Sequence, residues 1–294
     1  MRVGVLMGGA SAEREVSLRS GQAVVAALQR GGRSVVALDL PPDGDWPAMI
    51  REAEIGVAFV ALHGTLGEDG AIQGLLETIG MPYTGSGVMA SAICMNKRVS
   101  KDLLHAHSIP VAMDIPLGAD GFPVRYPVFV KPVAQGSSVG LHLVTSAAEW
   151  AEITITDTSD WLIEMPAKGV EVAVSVLDGE ALPCIEVRPA SGIYDYAAKY
   201  EAHDTRYICP AELPVESQRL CMDQAEMAVA LLECRGAPRV DMIVTDGGEA
   251  VVLEVNTIPG MTSTSLLPKS AAVAGIGFDA LCLRMLASAT RDGL

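Results

Sequence analysis

An unbroken apolar run at residues 3–7, VGVLM, opens the chain, and Gly8-Gly9 end it. Leu18, Val24, Val25 and Leu28 then recur at the spacing of one helix face until Gly31-Gly32 stop the pattern. Further apolar runs at 35–38 and 57–62 complete the order strand, helix, strand, helix, strand, which predicts a parallel sheet up to about residue 90. Past that point the pattern changes. "GFPVRYPVFVKPVAQGSSVGLHLV" reads as two strands joined by a glycine- and serine-bearing loop, "WLIEMPAKGVEVAVSVLDGEALPCIEV" follows, and residues 190–213 are polar and tyrosine-rich. There is no internal repeat, low-complexity tract or long charge run. The expected fold class is therefore α/β at the start, passing into two mainly antiparallel α+β lobes.

One apolar run carries an anomaly. Val251-Val252-Leu253 continues directly into Glu254 and Asn256, and burying an unpartnered carboxylate costs several kcal/mol or forces protonation. Upstream lies "GAPRVDMIVTDGGEA", so two strand-like segments flank Gly247-Gly248, a two-residue hairpin signal. With those glycines as the loop, Asp241 falls opposite Glu254 and Arg239 opposite Asn256, all four on one face. Val240, Met242, Val244, Val251, Leu253 and Val255 then fill the other face. Carboxylates facing each other this way suit a hard cation such as magnesium, which takes oxygen ligands and bridges phosphates. A polar, solvent-facing edge hairpin with Arg239 paired to Asp241 is the competing reading.

Composition narrows the function classes. The 294 residues correspond to roughly two to three domains, and with half of them hydrophobic the chain can bury a sizeable core. A formal net charge of -15 argues against general affinity for nucleic acid or anionic membrane, while leaving room for a local basic pocket. The six cysteines are scattered without a C-x-x-C pair, a pattern suited to a reducing compartment. No apolar window approaches the roughly 20 residues of a membrane span, and the N-terminus lacks the features of a signal peptide, so the cytoplasm is the expected location.

A metal-bound nucleotide would need further donors. "FVKPVAQGSSVG" offers Lys131 on a strand and a Gly136-Ser137-Ser138 turn whose amides can close over phosphates, although it is not a Walker A loop and an ordinary hairpin loop has the same composition. Lys97 in "CMNKRVSK" starts an amphipathic helix, where a solvated role is equally natural. In "WLIEMPAKGVE" an apolar strand ends at Glu164, and Pro166 and Gly169 break the pattern before Glu171; such a strand end fits an adenine edge and a ribose, or a domain linker.

Taken together, "GGASAEREVSLRSG", "ALHGTLGEDGAIQGLLETIGMPYTGSGVMASAICMNK", "FVKPVAQGSSVG", "YDYAAKY", "RVDMIV" and "LEVNTIPGMTSTSLLP" resemble, in order and from about residue 3 to residue 285, the D-alanine-D-alanine ligase family of ATP-grasp enzymes. The resemblance implies an N-terminal parallel-sheet domain over 1–96, a central ATP-grasp lobe over 97–165, and a C-terminal lobe over 166–294 with a cover loop at about 188–213. It implies that ATP phosphorylates one D-alanine and that the amine of a second attacks the acyl phosphate. Two Mg2+ ions, or Mn2+, would sit on Asp241, Glu254 and Asn256. Lys97, Lys131, Ser138 and Lys199 would take the phosphates, with Glu164, Met165, Ala167 and Glu171 around adenosine. Arg239 and Gly260 would face the oxyanion, Glu13 and His63 the first substrate, and Ser265 and Leu266 the second substrate's carboxylate. Glu13, Ser137 and Tyr200 would form a hydrogen-bonded triad, and the tyrosine at 200 favours an amine as acceptor. A homodimer through the N-terminal domain is implied as well.

Some positions depart from the family pattern. Met165-Pro166 stands where a lysine often follows the hinge glutamate, Gln135 replaces a commonly acidic residue, and the linker over 147–160 looks trimmed. Two alternatives remain beside the dipeptide ligase: a D-lactate- or D-serine-using ligase, and a non-catalytic nucleotide- or amino-acid-binding regulator. A Rossmann dehydrogenase is disfavoured because "GVLMGGASAE" lacks G-x-G-x-x-G.

Overall fold

A computed structural model describes residues 1–136, 139–155, 157–189 and 204–292. Strands β1 (Val3–Gly8), β2 (Val35–Leu40) and β3 (Val57–Val60) form the expected parallel sheet in the order β2-β1-β3, with Val3 beside both Val35 and Val57. Helices α1 (Arg14–Arg30), α2 (Trp46–Glu52), α3 (Ala71–Thr78) and α4 (Val88–Met95) accompany it. The predicted face of α1 packs on the core, with Val24 and Leu28 buried in it and Leu18 and Val25 against it, but the most deeply buried stripe also includes small residues. Ser17, Ser20, Gly21, Val24, Ala27 and Leu28 are buried, whereas Leu18 and Val25 are only half-buried. Small residues are needed because α1 lies so close to β1 that a Cβ on Gly21 would sit 2.5 Å from Met7 Cβ. Ser17 Oγ fills the same gap, accepting from Gly8 N–H at 2.8 Å and donating to Ala61 O at 2.7 Å.

Helix α5 (Lys97–Ala106) leads to a small antiparallel sheet in which β4 (Val128–Pro132) lies between β5 (His142–Val144) and β6 (Trp161–Glu164). Residues 147–160, expected as a trimmed linker, hold helix α6 (Ala147–Glu152), whose Trp150 packs with Ile115, Val128, Val130, Val144 and Ile163.

The largest sheet is antiparallel, in the order β10-β9-β7-β11-β12, with β8 paired to β7. Its strands are β7 (Gly169–Leu177), β8 (Glu180–Ala181), β9 (Ile185–Arg188), β10 (Arg206–Ile208), β11 (Arg239–Thr245) and β12 (Ala250–Asn256). Helix α7 (Val215–Leu231) covers one face with Cys221, Ala225, Ala228 and Val229. Helices α8 (Leu266–Val273) and α9 (Phe278–Ala287) carry the chain back to the first sheet, where Leu281, Cys282 and Met285 share a core with Val24, Leu28, Val57 and Phe59. Among the described residues no single helix is long and apolar enough to cross a membrane.

The β11–β12 hairpin keeps the expected pairings of Arg239 with Asn256 and Asp241 with Glu254, but by a different route. Thr245 pairs with Glu249 around a three-residue loop, 246–248, in which only Gly248 has positive φ, +85°. A two-residue type I′ loop at Gly247-Gly248 would need positive φ at both. The longer loop shifts the register by one, placing Met242 opposite Val252, and a bulge at Leu253 restores it before Glu254. Val252 accordingly joins the core cluster under α7, while Val251 is buried outside that cluster and Leu253 lines the second cavity. Replacing Gly248 with Ala is expected to destabilise the protein by about 1 kcal/mol through the left-handed backbone, while Gly247→Ala is neutral or slightly stabilising. Urea unfolding midpoints of the two variants check this, and equal losses would restore the two-residue loop.

Candidate active site

Two cavities of about 490 Å3 and 440 Å3 meet at the end of β12. Lys97 and Glu254 line both. The Leu253 bulge produces this arrangement, because it turns Leu253 and Glu254, neighbours in sequence, toward the second cavity together. Lys97 Nζ lies 3.1 Å from Glu254 Oε2 and donates to Gln135 O at 2.7 Å. Lys97 opens α5 behind the cap Asn96, whose side chain accepts from Val99 N–H. A cation in the first turn opposes the helix dipole by a few tenths of a kcal/mol to about 1 kcal/mol, so its position reflects what it touches rather than what the helix prefers.

Around the first cavity stand Glu13, His63, Arg239, Asn256, Gly260, Ser265 and Leu266. Glu13 is packed tightly: a Cβ on Gly136 or Gly64 would approach its Oε2 to 2.7 or 2.9 Å. Ser265 precedes α8 and accepts from Thr262 N–H at 3.0 Å, and a Cβ on Gly260 would meet its Oγ at 2.7 Å. Buried His63 contacts Glu68 at 3.4 Å and Ser20 at 3.5 Å through its two ring nitrogens. Burial alone would push its imidazole down, but the hydrogen bond and charge of Glu68, with Glu13 nearby, hold it above the ordinary histidine value.

The second cavity is lined by Lys131, Glu164, Met165, Ala167, Glu171 and Asp241, with Phe129, Leu141 and Ile243 as apolar walls. Glu164 is buried, and its carboxylate is held by Lys101 and Lys131, each at 2.7 Å. Desolvation would raise its pKa, yet the two ammonium groups outweigh it and hold the carboxyl below its usual range. Met165 keeps a main-chain bond, its N–H donating to Met113 O at 2.8 Å, and its sulfur receives Arg125 Nη2 at 3.0 Å. The Arg239–Asp241 pair of the competing hairpin reading does form, as a two-pronged contact of 2.7 and 2.8 Å, but in a cavity wall and not on an open edge. Among the described residues no group of three or more His, Cys, Asp or Glu side chains gathers as a metal site.

Every predicted site residue within the described part of the chain thus borders one cavity or the other. Ser137, Ser138, Lys199 and Tyr200 lie outside the described residues. Three groups escaped the reading of the sequence. Glu186, a buried carboxylate in the apolar "CIEV" run, lines the second cavity and carried the same signal as Glu254. Glu68 and Lys101 were not singled out, and only the fold reveals their buried partners.

The arrangement has known counterparts. The family described as "D-ala D-ala ligase C-terminus" matches residues 122–287, and "D-ala D-ala ligase N-terminus" matches 2–53 and 48–86. The chain is 49% identical to the D-alanine-D-alanine ligase of Anaeromyxobacter sp. (strain K), covering 97% of this chain and 96% of that one. For the Geobacter sulfurreducens enzyme of the same name the identity is 46%, with 98% and 94% covered. The D-alanine-D-alanine ligase structure from Bacillus anthracis superposes with a TM-score of 0.84 at 37% identity, over 98% and 97% of the two chains. Its form complexed with ATP gives 0.84 at 36%, over 98% and 96%. Fold and cavities together define an ATP-grasp enzyme. Within that class, the chain belongs to the D-alanine-D-alanine ligase family.

The His63–Glu68 contact generates a test. Because the folded pKa lies above the unfolded one, the pairing adds stability that is complete below about pH 6.5 and fades as pH rises through the folded value. Glu68→Gln is expected to bring the His63 titration, followed by imidazole NMR, to a lower pH, because burial then acts against a weaker opponent. An unmoved titration would show that Glu68 is not what raises it.

Proposed function

We propose that the chain joins two D-alanine molecules to D-alanyl-D-alanine at the expense of ATP, through a D-alanyl phosphate, for peptidoglycan precursor synthesis. The observation that carries this reading is the shared wall: Lys97 and Glu254 border both cavities, so a phosphoryl donor in one and a carboxylate acceptor in the other meet there. In the second cavity Phe129, Leu141 and Ile243 offer apolar faces to a purine, Met165 and Ala167 border its edge, and Glu171 takes the ribose. Lys97 and Lys131 gather the phosphates, exchanging part of their contact with Glu254 and Glu164 for the nucleotide. Ser138 and Lys199 are assigned to the same phosphates.

The donor set at the shared wall suits magnesium. Asp241 and Glu254 would offer carboxylate oxygens and Asn256 an amide oxygen, all hard donors of the kind magnesium takes. The carboxylates are already matched by cations, Arg239 and Lys97, so the site is built to hold positive charge. When bound, two Mg2+ ions, or Mn2+, would offset charge on the transferring phosphoryl group.

In the first cavity Glu13 receives the ammonium of the first D-alanine, with His63 behind it. Arg239, whose guanidinium plane is fixed by Asp241, faces the acyl centre together with the Gly260 N–H, and both stabilise oxyanion charge. The start of α8 at Ser265 and Leu266, where main-chain N–H groups lack intrahelical partners, takes the second substrate's carboxylate. Tyr200, with Ser137 and Glu13, closes the cover, which keeps water from the acyl phosphate. Residues 1–96, 97–165 and 166–294 act as the three lobes of this machine, in a cytoplasmic homodimer joined through the first.

Purified chain is expected to release ADP with D-alanine and not with L-alanine, with D-lactate and D-serine as weaker acceptors; absence of D-alanine-dependent release would overturn the reading. Glu254→Gln is expected to lower turnover about 10²–10³-fold with an unchanged thermal midpoint, as loss of one charge at the phosphoryl centre requires. Near-normal turnover would remove Glu254 from the phosphoryl site.

A further inference from the structure

Lys101 is a buried lysine that no step above uses. It lies on α5, four residues after Lys97, and its ammonium touches two carboxylates: Asp114, whose side chain is half-exposed, and buried Glu164 at 2.7 Å. The second oxygen of Glu164 meets Lys131 Nζ at 2.7 Å. The result is a line of alternating charge, Asp114, Lys101, Glu164, Lys131, running from the surface to the wall of the nucleotide cavity. The same helix also holds the other end of β6, where Arg98 Nη2 donates to Trp161 O at 2.7 Å. Residues 98 and 101, three apart and so on one face of α5, therefore grip the first and last residues of β6.

Such a line is a poor device for stability alone. Apolar residues of similar volume hold a buried interface as well as an ion cluster or better, because every charge must be taken out of water. It is a good device for fixing ammonium groups in space. Glu164 left to Lys131 alone would keep one oxygen with no cation, free to rotate about its last torsion, and Lys131 would move with it. From these contacts we infer that Lys101 is a positioning residue for nucleotide use, fixing Glu164 so that Glu164 in turn fixes Lys131 at the phosphates. Helix α5 then supplies one phosphate-binding lysine directly, Lys97, and sets the other through an intermediary.

The inference rests on the ligase reading, and one assay separates the two. ADP release is measured with ATP varied and D-alanine saturating, for wild type, Lys101→Met and Lys101→Arg, across pH. Lys101→Met is expected to raise KM for ATP about tenfold, the scale of one hydrogen bond to a charged group, with kcat within about threefold. The acid limb of kcat/KM for ATP should move to higher pH. Glu164 then faces only Lys131 among its former cations, with Asp114 adding like charge beside it, and so protonates more easily. Lys101→Arg should recover most of the affinity. Wild-type ADP release combined with a Lys101→Met enzyme of unchanged KM and unchanged acid limb overturns this inference alone, as does a loss confined to kcat. A wild-type chain inactive with D-alanine removes the reading beneath it. Should Lys101→Met fail to fold, Lys101→Met with Glu164→Gln is compared with Glu164→Gln alone. No further rise in KM supports the line of contacts, and an additive rise refutes it.

Discussion

The antiparallel pairing of Asp241 with Glu254 is the contact through which the two cavities share a wall, and its geometry is tightly constrained. Side chains on a strand alternate with a period of two, so a one-residue slip would send Glu254 into the apolar core beside Val252 and Val255. The three-residue loop at 246–248 makes that slip, and the bulge at Leu253 undoes it within four residues. The turn and the bulge are therefore coupled. Neither is tolerable without the other, because each alone would bury a carboxylate with no cation near it.

Charge placement follows the same logic on a larger scale. The chain is strongly acidic overall, yet four cations are gathered in or behind the cavity walls: Lys97, Lys101, Lys131 and Arg239 all touch carboxylates. Carboxylates line the same cavities, so the cleft holds matched charge of both signs and needs a cation to accompany a polyanionic ligand. The intramolecular pairs keep those cations ordered while the cleft is open, so less side-chain freedom is lost when a ligand arrives.

Much of this was legible before any coordinates. The alternation of Asp241 and Glu254 with apolar residues identified the hairpin face, and the Gly-bounded runs identified the parallel sheet. The rest was hidden for identifiable reasons. A bulge has no residue signature, so the placement of Val252 in the cluster under α7, where Val251 was expected, went unseen. Periodicity counts large apolar residues, whereas α1 buries Ser17, Ser20 and Gly21 because the helix must approach β1 closely. Lys101 and Glu68 have partners remote in sequence or hidden by burial, and a charged residue in a polar stretch reads as solvated until the fold supplies the other half of the pair. Glu186 was readable by the logic applied to Glu254.

The packing of α9 against α1 and the first sheet has a consequence for how the chain acquires its shape. Leu281, Cys282 and Met285 complete the core that Val24, Leu28 and Phe59 begin, and Tyr83 exchanges main-chain hydrogen bonds with Thr290. During synthesis, which proceeds from the N-terminus, the first sheet emerges with one flank bare and stays so until some two hundred further residues have left the ribosome, as the order of elements dictates. A sheet made early is thus sealed late, and the nascent chain must shield that apolar flank by other means until α9 arrives.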